Sequence, residues 1–279
     1  MSEQDRLREA AGRLLAWYED NRRELPWRED ASPYRVWISE IMLQQTRIEA
    51  VLGYFERFLR ELPDVRSLAE AEEDRVMKLW EGLGYYSRAR TLIKTARLCC
   101  EEYGGELPAS YEELLALPGI GPYTAGAIGS IAYSLPVPAV DGNVLRVISR
   151  LLADDSDISA ERTKRRAKEL LTEILPKDAP GEFNQAVMEL GERICIPNGA
   201  PLCGECPAAA CCLAHQQGRE MAFPVKAGKK ARRVEQMTVL VIRCGSRFAI
   251  RKRPESGLLA GLYELPWLPG HVSRREVAG

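Results

Sequence analysis

Four cysteines lie within 18 residues, spaced Cys195-x7-Cys203-x2-Cys206-x5-Cys212. Four thiolates so close together can close around one metal centre, and the chain on either side must then fold around that knot. The spacing leaves a structural zinc site and an iron–sulfur cluster both open. One compact loop with no histidine inside it favours a [4Fe–4S] cluster. Cys211 offers an x4 alternative to Cys212, and His215, just outside the loop, is expected to be solvated or to cap a helix. The chain holds eight cysteines, yet Met1 to Asp5 is polar and no apolar leader follows, which argues against a secreted disulfide framework. Cys99, Cys100 and Cys244 read as buried thiols.

At 279 residues, with 46% hydrophobic and 28% charged side chains, the chain has the make-up of a soluble globular protein of about two domains. The uncharged stretch from Leu114 to Val140 is broken by four prolines and four glycines, so no membrane span is expected. The net charge of −1 carries no nucleic-acid signal, but its distribution is uneven: residues 226–279 hold 12 Lys and Arg against four Asp and Glu, leaving 27 against 36 in residues 1–225. Residues 1–222 read as almost entirely helical. Leu7, Leu14, Leu15 and Tyr18 recur at helical spacing behind a capping Ser2, and Ser67 with Glu70 and Ser110 with Glu113 have the pattern of capping boxes. Residues 223–235 read as a basic linker. In residues 236–279, Met237 to Ile242 and Arg247 to Arg251 flank a Gly245-Ser246 turn, a hairpin signal. So short a segment cannot bury a large core and is expected to be a truncated domain.

Chemistry concentrates in two further places. From Leu117 to Ala125 the chain reads as a helix, a Gly119-Ile120-Gly121 turn and a second helix opened by Pro122. Glycines there let backbone N–H groups approach a DNA phosphate at the positive end of the second helix, without reading base sequence. Glu40 sits among Val36, Trp37, Ile38, Ile41, Met42 and Leu43, where burial would raise its pKa and suit it to general acid work. Asp141, followed by Gly142 and Asn143, would either cap a helix or act as a second acid.

Together the blocks Trp37 to Thr46, Trp80 to Arg90, Leu117 to Ala127, Val140 to Val147 and the cysteine loop resemble the helix–hairpin–helix DNA glycosylase superfamily. Within it they are most similar to the adenine DNA glycosylases (MutY type), over residues 5–267. The resemblance implies a mainly α fold of two helical subdomains with a cleft between them, a [4Fe–4S] cluster on Cys195, Cys203, Cys206 and Cys212, and double-stranded DNA carrying 8-oxoguanine:A or G:A mispairs as partner. It implies that Glu40 protonates adenine at N7 and that Asp141 stabilises the oxocarbenium-like sugar or bonds to it transiently, with Tyr123 and Asn143 in support. Trp27, Arg28 and Glu189 would line the adenine pocket, and Gln45 and Tyr85 would probe the duplex at the lesion. Gly257 to Trp267 is similar to the opening of the family's MutT-like domain, but no run of acids for nucleotide hydrolysis is present. The chain departs from the family in having x7 rather than x6 after the first cysteine.

Two rival readings remain. Endonuclease III-type glycosylase/lyases carry a lysine where this chain has Tyr123, and an Asp-Thr-His sequence where it has Asp141, Gly142 and Asn143; the expectation is therefore a monofunctional enzyme. A non-catalytic metal-bearing DNA-binding module would leave Glu40 and Asp141 without a role. The remaining expectations are a monomer with no membrane association, in a bacterial-type cytoplasm and held at the nucleoid through DNA.

Overall fold

The computed structural model describes residues 2–228, 234–254, 256–273 and 276. Residues 229–233 of the expected linker lie outside that set. Two compact units emerge, Met1–Ala227 and Gly228–Gly279. The first contains α1 (Glu3–Asn21), α2 (Pro26–Glu29), α3 (Pro33–Leu43), α4 (Ile48–Glu61), α5 (Val65–Glu70), α6 (Glu73–Trp80), α7 (Ser87–Glu102), α8 (Tyr111–Ala116), α9 (Pro122–Tyr133), α10 (Gly142–Leu152), α11 (Glu161–Ile174), α12 (Pro180–Arg193) and α13 (Leu213–Gln216). It is the expected mainly helical architecture.

Two hydrophobic cores organise these helices. One gathers Trp27, Trp37, Phe55, Phe58, Trp80, Leu92 and Ile128, from α2 to α9. The other gathers Leu7, Leu14 and Tyr18 of α1 with Val147, Leu171, Phe183, Leu190 and the cysteine loop. The chain thus starts in the second core, builds the whole of the first, and returns. Phe223 is buried in the second core, and the Val225 carbonyl accepts from the Ile158 amide at 3.0 Å, so the helical unit continues past residue 222.

The caps hold with one shift of register. Ser2 and Asp5 form a reciprocal capping box on α1, and the Ser110 hydroxyl accepts from the Glu113 amide. The box expected at Ser67 and Glu70 lies one turn earlier: Asp64 caps α5, and Ser67 supplies its third position. Val65 and Leu68 are buried by that choice of start.

The second unit, taken by itself, holds three two-stranded antiparallel ladders among its described residues. These pair β1 (Met237–Val239) with β6 (Trp267–Pro269), β2 (Arg243–Cys244) with β3 (Arg247–Phe248), and β4 (Arg251–Lys252) with β5 (Tyr263–Glu264). The turn at Gly245-Ser246 is formed, but its arms are two residues long. Met237 to Val239 pairs instead with Trp267 to Pro269. Cys244 is exposed, not buried, because this ladder has no apolar cover, and Cys100 is only half-buried; Cys99 alone of the three is deep in a core.

Close backbone approach matters at Gly126 on α9. A Cβ there would meet the Pro138 carbonyl oxygen at 2.5 Å and the Ala139 Cα at 3.0 Å, in the segment that leads into Asp141. Gly53 on α4 is exposed with nothing near its missing Cβ. Gly126→Ala should therefore destabilise the protein by about 1–3 kcal/mol through overpacking, while Gly53→Ala should stabilise it by up to about 1 kcal/mol through helix propensity. Urea denaturation of the two variants measures both signs.

Candidate active site and cysteine loop

The expected hairpin is formed. Ser110 caps α8, Gly119 turns the chain at φ +74°, and Pro122 opens α9 behind Gly121. A side chain at Gly119 would collide with the Thr91 methyl group as well as strain the backbone. Gly119, Gly121 and Pro122 are exposed, so the hairpin presents its backbone to solvent, next to the free N–H groups at the start of α9.

Between the two cores lies a cavity of about 500 Å³. From the first core come Trp27, Arg28, Val36, Glu40 and Gln45; Tyr123 comes from α9; Asp141, Asn143, Met188 and Glu189 come from α10, α12 and the segment before α10. Eight of the nine expected catalytic and base-contacting residues thus share one cavity. The ninth, Tyr85, is not among its lining residues; it stands on the loop between α6 and α7 with 60% of its surface exposed.

α3 is apolar because it is the central rod of the first core, and Glu40 is the acid on it, only 8% exposed. Burial pushes its pKa up to about 7, the nearby Tyr123 hydroxyl opposes that shift, and the negative charge of Asp141 adds to it. The Tyr123 hydroxyl also approaches the Met188 sulfur at 3.7 Å. Asp141 lives differently. Its Oδ1 accepts from the Val144 amide at 2.8 Å, capping α10, and its Oδ2 accepts from the Asn143 side-chain amide at 2.9 Å. Burial raises its pKa as well, but those donors and the Arg146 charge pull the other way. Capping and chemistry are therefore not alternatives at this residue. Glu40 thus keeps a large protonated fraction near pH 7, while at Asp141 the Val144 and Asn143 donors and the Arg146 charge oppose the upward shift.

Glu189 is fully buried, and both of its oxygens are engaged. Arg23 reaches them at 2.6 and 2.9 Å, and Arg28 at 2.8 Å. Burial disfavours its charge, but the two guanidinium groups outweigh that and hold its pKa below the usual carboxylate value. Arg23, which no sequence motif singles out, also ties Glu192 at 2.5 Å. Its partners lie more than 160 residues away, so no local pattern points to it.

The thiols of Cys195, Cys203, Cys206 and Cys212 line one small cavity, and Cys211 does not. The Cys211 thiol instead donates to the Ala208 carbonyl at 3.3 Å. The donor set therefore fits a metal cluster through the x5 spacing. Arg150, only 4% exposed, points Nη1 at the Cys195 sulfur at 3.2 Å and at the Ile196 carbonyl, and its Nε donates to the Glu220 and Phe223 carbonyls. His215 also lines this cavity, with Nδ1 2.6 Å from Glu220 Oε1. The ligand atoms of Cys203, His215 and Glu220 lie within 4.8 Å of one another, a smaller donor set that a single divalent ion would suit.

Residues 38–173 match the profile of the HhH-GPD superfamily base excision DNA repair proteins. The chain is 35% identical to the adenine DNA glycosylase of Buchnera aphidicola from Schizaphis graminum, over 91% of this chain and 73% of that one. The chain belongs to the adenine DNA glycosylase family. The rat and human adenine DNA glycosylases are 38% and 36% identical to it, and it spans only 59% of the length of each. Among solved structures, a thermostable thymine-DNA glycosylase superposes with a TM-score of 0.68 at 26% identity, covering 74% of this chain and 95% of that one. An endonuclease III in a non-covalent DNA complex superposes at 0.65 and 24%, covering 78% and 98%. Among the described residues no helix is long and apolar enough to cross a membrane.

Burying a neutral Glu40 has a thermodynamic signature. The unfolded glutamate releases its proton near pH 4.5, whereas the folded one holds it to about 7. The native state thus binds the extra proton in that window, and stability falls as pH rises through it, by about 3 kcal/mol in all. Glu40→Gln should abolish this slope, so its advantage over wild type should be larger at pH 8 than at pH 5. Equal differences in urea midpoint at the two pH values would mean that Glu40 ionises normally.

Proposed function

We propose that the chain is a monofunctional adenine DNA glycosylase acting on adenine paired with 8-oxoguanine or guanine in double-stranded DNA. The observation that carries this reading is the pair of unlike acids in one base-sized cavity. Cleaving an N-glycosidic bond asks for a proton on the departing base and a negative charge beside the sugar. The hairpin backbone at Gly119 and Gly121 holds phosphate, Gln45 and Tyr85 enter the base stack, and the adenine turns out of the duplex into the cavity. Trp27, Arg28 and Glu189 form its walls. Glu40 donates its proton to N7, the C1′–N9 bond breaks, and the electron pair leaves with a base that is now neutral. Asp141 stabilises the cationic sugar, directly or through a transient bond, and accepts a proton from the water that adds to C1′. Tyr123 and Asn143 hold the two carboxyl groups in place.

The reading of strand chemistry rests on Tyr123. A Schiff base needs a desolvated amine beside the sugar carbon, and the cavity lining contains no lysine among the described residues. The same cavity with two acids speaks against a purely structural DNA-binding module. We assign a [4Fe–4S] cluster to Cys195, Cys203, Cys206 and Cys212; when bound, it supplies cross-links that fix the loop. We read the helical unit as the catalytic domain, the basic stretch that follows it as a linker and residues 236–279 as the opening of a MutT-like domain. The protein is read as a monomer that works in the cytoplasm on nucleoid DNA.

Single-turnover excision from an 8-oxoguanine:A duplex, assayed with and without alkali, tests the reading. Adenine should be released, and strand cleavage should follow only after alkali. The rate should fall about tenfold per pH unit above about 7, as Glu40 loses its proton, and should also fall at low pH, as Asp141 is protonated. Glu40→Gln should lower the rate by about a hundredfold to ten-thousandfold and remove the alkaline limb. Near-normal excision by this variant would exclude Glu40 from the chemistry.

Anaerobically purified protein should contain about four iron atoms per chain if the cluster assignment holds. Cys212→Ser should lose the iron, and Cys211→Ser should keep it. Stoichiometric zinc and no iron would overturn the cluster assignment.

A further inference from the structure

Arg88, in the first turn of α7, is a half-buried cation with no carboxylate partner among the described residues. Its guanidinium is held by carbonyl oxygens from two separate segments. Nη1 donates to Ile41 at 2.6 Å, Met42 at 3.1 Å and Gln44 at 2.8 Å, at the C-terminal end of α3. Nη2 donates to Leu83 and Gly84, each at 3.2 Å, in the loop between α6 and α7. The first three carbonyls lie at the negative end of a helix whose last turn has no intrahelical donors for them. The centre of the group lies 5.2 Å from the Trp80 ring and 5.6 Å from the Tyr85 ring.

The next residue along the chain from each segment has an unusual backbone. Directly after Gln44 comes Gln45, at φ +60°, and directly after Gly84 comes Tyr85, at φ +44°. Both are exposed non-glycine residues in the left-handed region, a conformation that persists only where the surroundings impose it. These are the two side chains assigned above to the base stack. One rigid fork with donors on both arms can fix two segments against each other; a lysine, a point charge on a flexible stem, cannot.

We propose that Arg88 is a positioning residue that holds Gln45 and Tyr85 as one two-pronged unit, at a fixed separation, so that both enter the duplex together. This rests on the reading of the cavity as a base-excision site, but the clamp itself can be tested without DNA. Arg88 is not among the residues that line the cavity holding Glu40 and Asp141, so its loss should impair extrusion of the base and leave protonation unchanged.

Amide hydrogen exchange of the free protein is the first readout. In Arg88→Met, amides in segments 43–47 and 82–86 should exchange about tenfold faster or more, as expected when several charge-assisted bonds are lost together, while amides of α10 and α12 stay at their wild-type rates. Arg88→Lys should protect the end of α3 better than the 82–86 loop, and it serves as the folded variant should Arg88→Met lose its global transition. The second readout is fluorescence of 2-aminopurine placed opposite 8-oxoguanine. Wild type should raise it, and either variant should raise it about tenfold more slowly, with duplex affinity nearly unchanged and with the alkaline limb of the excision profile still at about pH 7. Unchanged exchange in both segments, or faster exchange spread over the whole first core, would overturn the clamp. A wild type that neither extrudes nor excises the base would overturn the functional reading instead, and the exchange result would still decide the role of Arg88.

Discussion

The Asp141 carboxylate is gripped at both oxygens, by the Val144 amide and the Asn143 side chain, and this grip fixes where the rest of the site stands. Asn143 passes the constraint on: its Oδ1 accepts from Arg146 Nη2 at 2.9 Å. Arg146, only 5% exposed, spans from there to the Gly191 and Cys195 carbonyls, each at 2.8 Å. A continuous run of hydrogen bonds thus leads from the acid in the cavity to the first residue of the cysteine loop. The helix Asp141 caps carries Arg150 one turn beyond Arg146, and Arg150 lies against the Cys195 sulfur. α10 is therefore the strut shared by the cavity and the cysteine loop, and the loop is a buttress of the acid's geometry rather than a separate appendage.

A recurring device makes that strut possible. Arg6, Arg146 and Arg150 are all buried, and each donates to carbonyl oxygens: Arg6 to Cys211, Arg146 to Gly191 and Cys195, Arg150 to Ile196, Glu220 and Phe223. A buried charge with unsatisfied donors would be costly. Carbonyls at the ends of helices and in tight loops, which lack donors of their own, meet that need without introducing a second charge. At Glu189 the opposite solution is used: one buried carboxylate faces the guanidinium groups of Arg23, Arg28 and, at 3.5 Å, Arg193, and the cavity wall stays polar.

The parts of this design that were legible in the sequence are those carried by short-range signals. Gly119, Gly121 and Pro122 specify the hairpin because each serves a backbone conformation, and an acid within the apolar run of α3 announces its own burial. The cysteine spacing led to one cavity, although two adjacent cysteines left the fourth position open until Cys211 was seen turned toward Ala208. Long-range partners were not legible. Nothing near Arg23 points to Glu189 and Glu192, and nothing near Arg88 points to α3. At α5, Asp64 with Ser67 and Ser67 with Glu70 are nearly equivalent capping signals, and only the burial of Val65 and Leu68 chooses between them. The strands failed for the same reason: Met237 to Val239 finds its partner at Trp267 to Pro269, about thirty residues away, while only the turn at Gly245 is local.

The contrast between the two acids explains why they sit on different elements. In the proposed chemistry Glu40 delivers a proton, and on the apolar α3 burial disfavours its anion while the Tyr123 hydroxyl opposes that shift. The role proposed for Asp141 calls for donors to its carboxylate, and the first turn of a helix supplies one from the backbone at a fixed position. Had both acids been placed on one helix, they would have shared one environment and titrated together. Placing them on opposite cores lets each subdomain set one proton affinity, and the cavity exists where the two surfaces meet. The separation has a structural consequence as well. The distance between the acids is then set by how the subdomains pack, so tight backbone contacts at that seam, such as Gly126 against Pro138, bear on the geometry of the cavity although Gly126 and Pro138 do not line it.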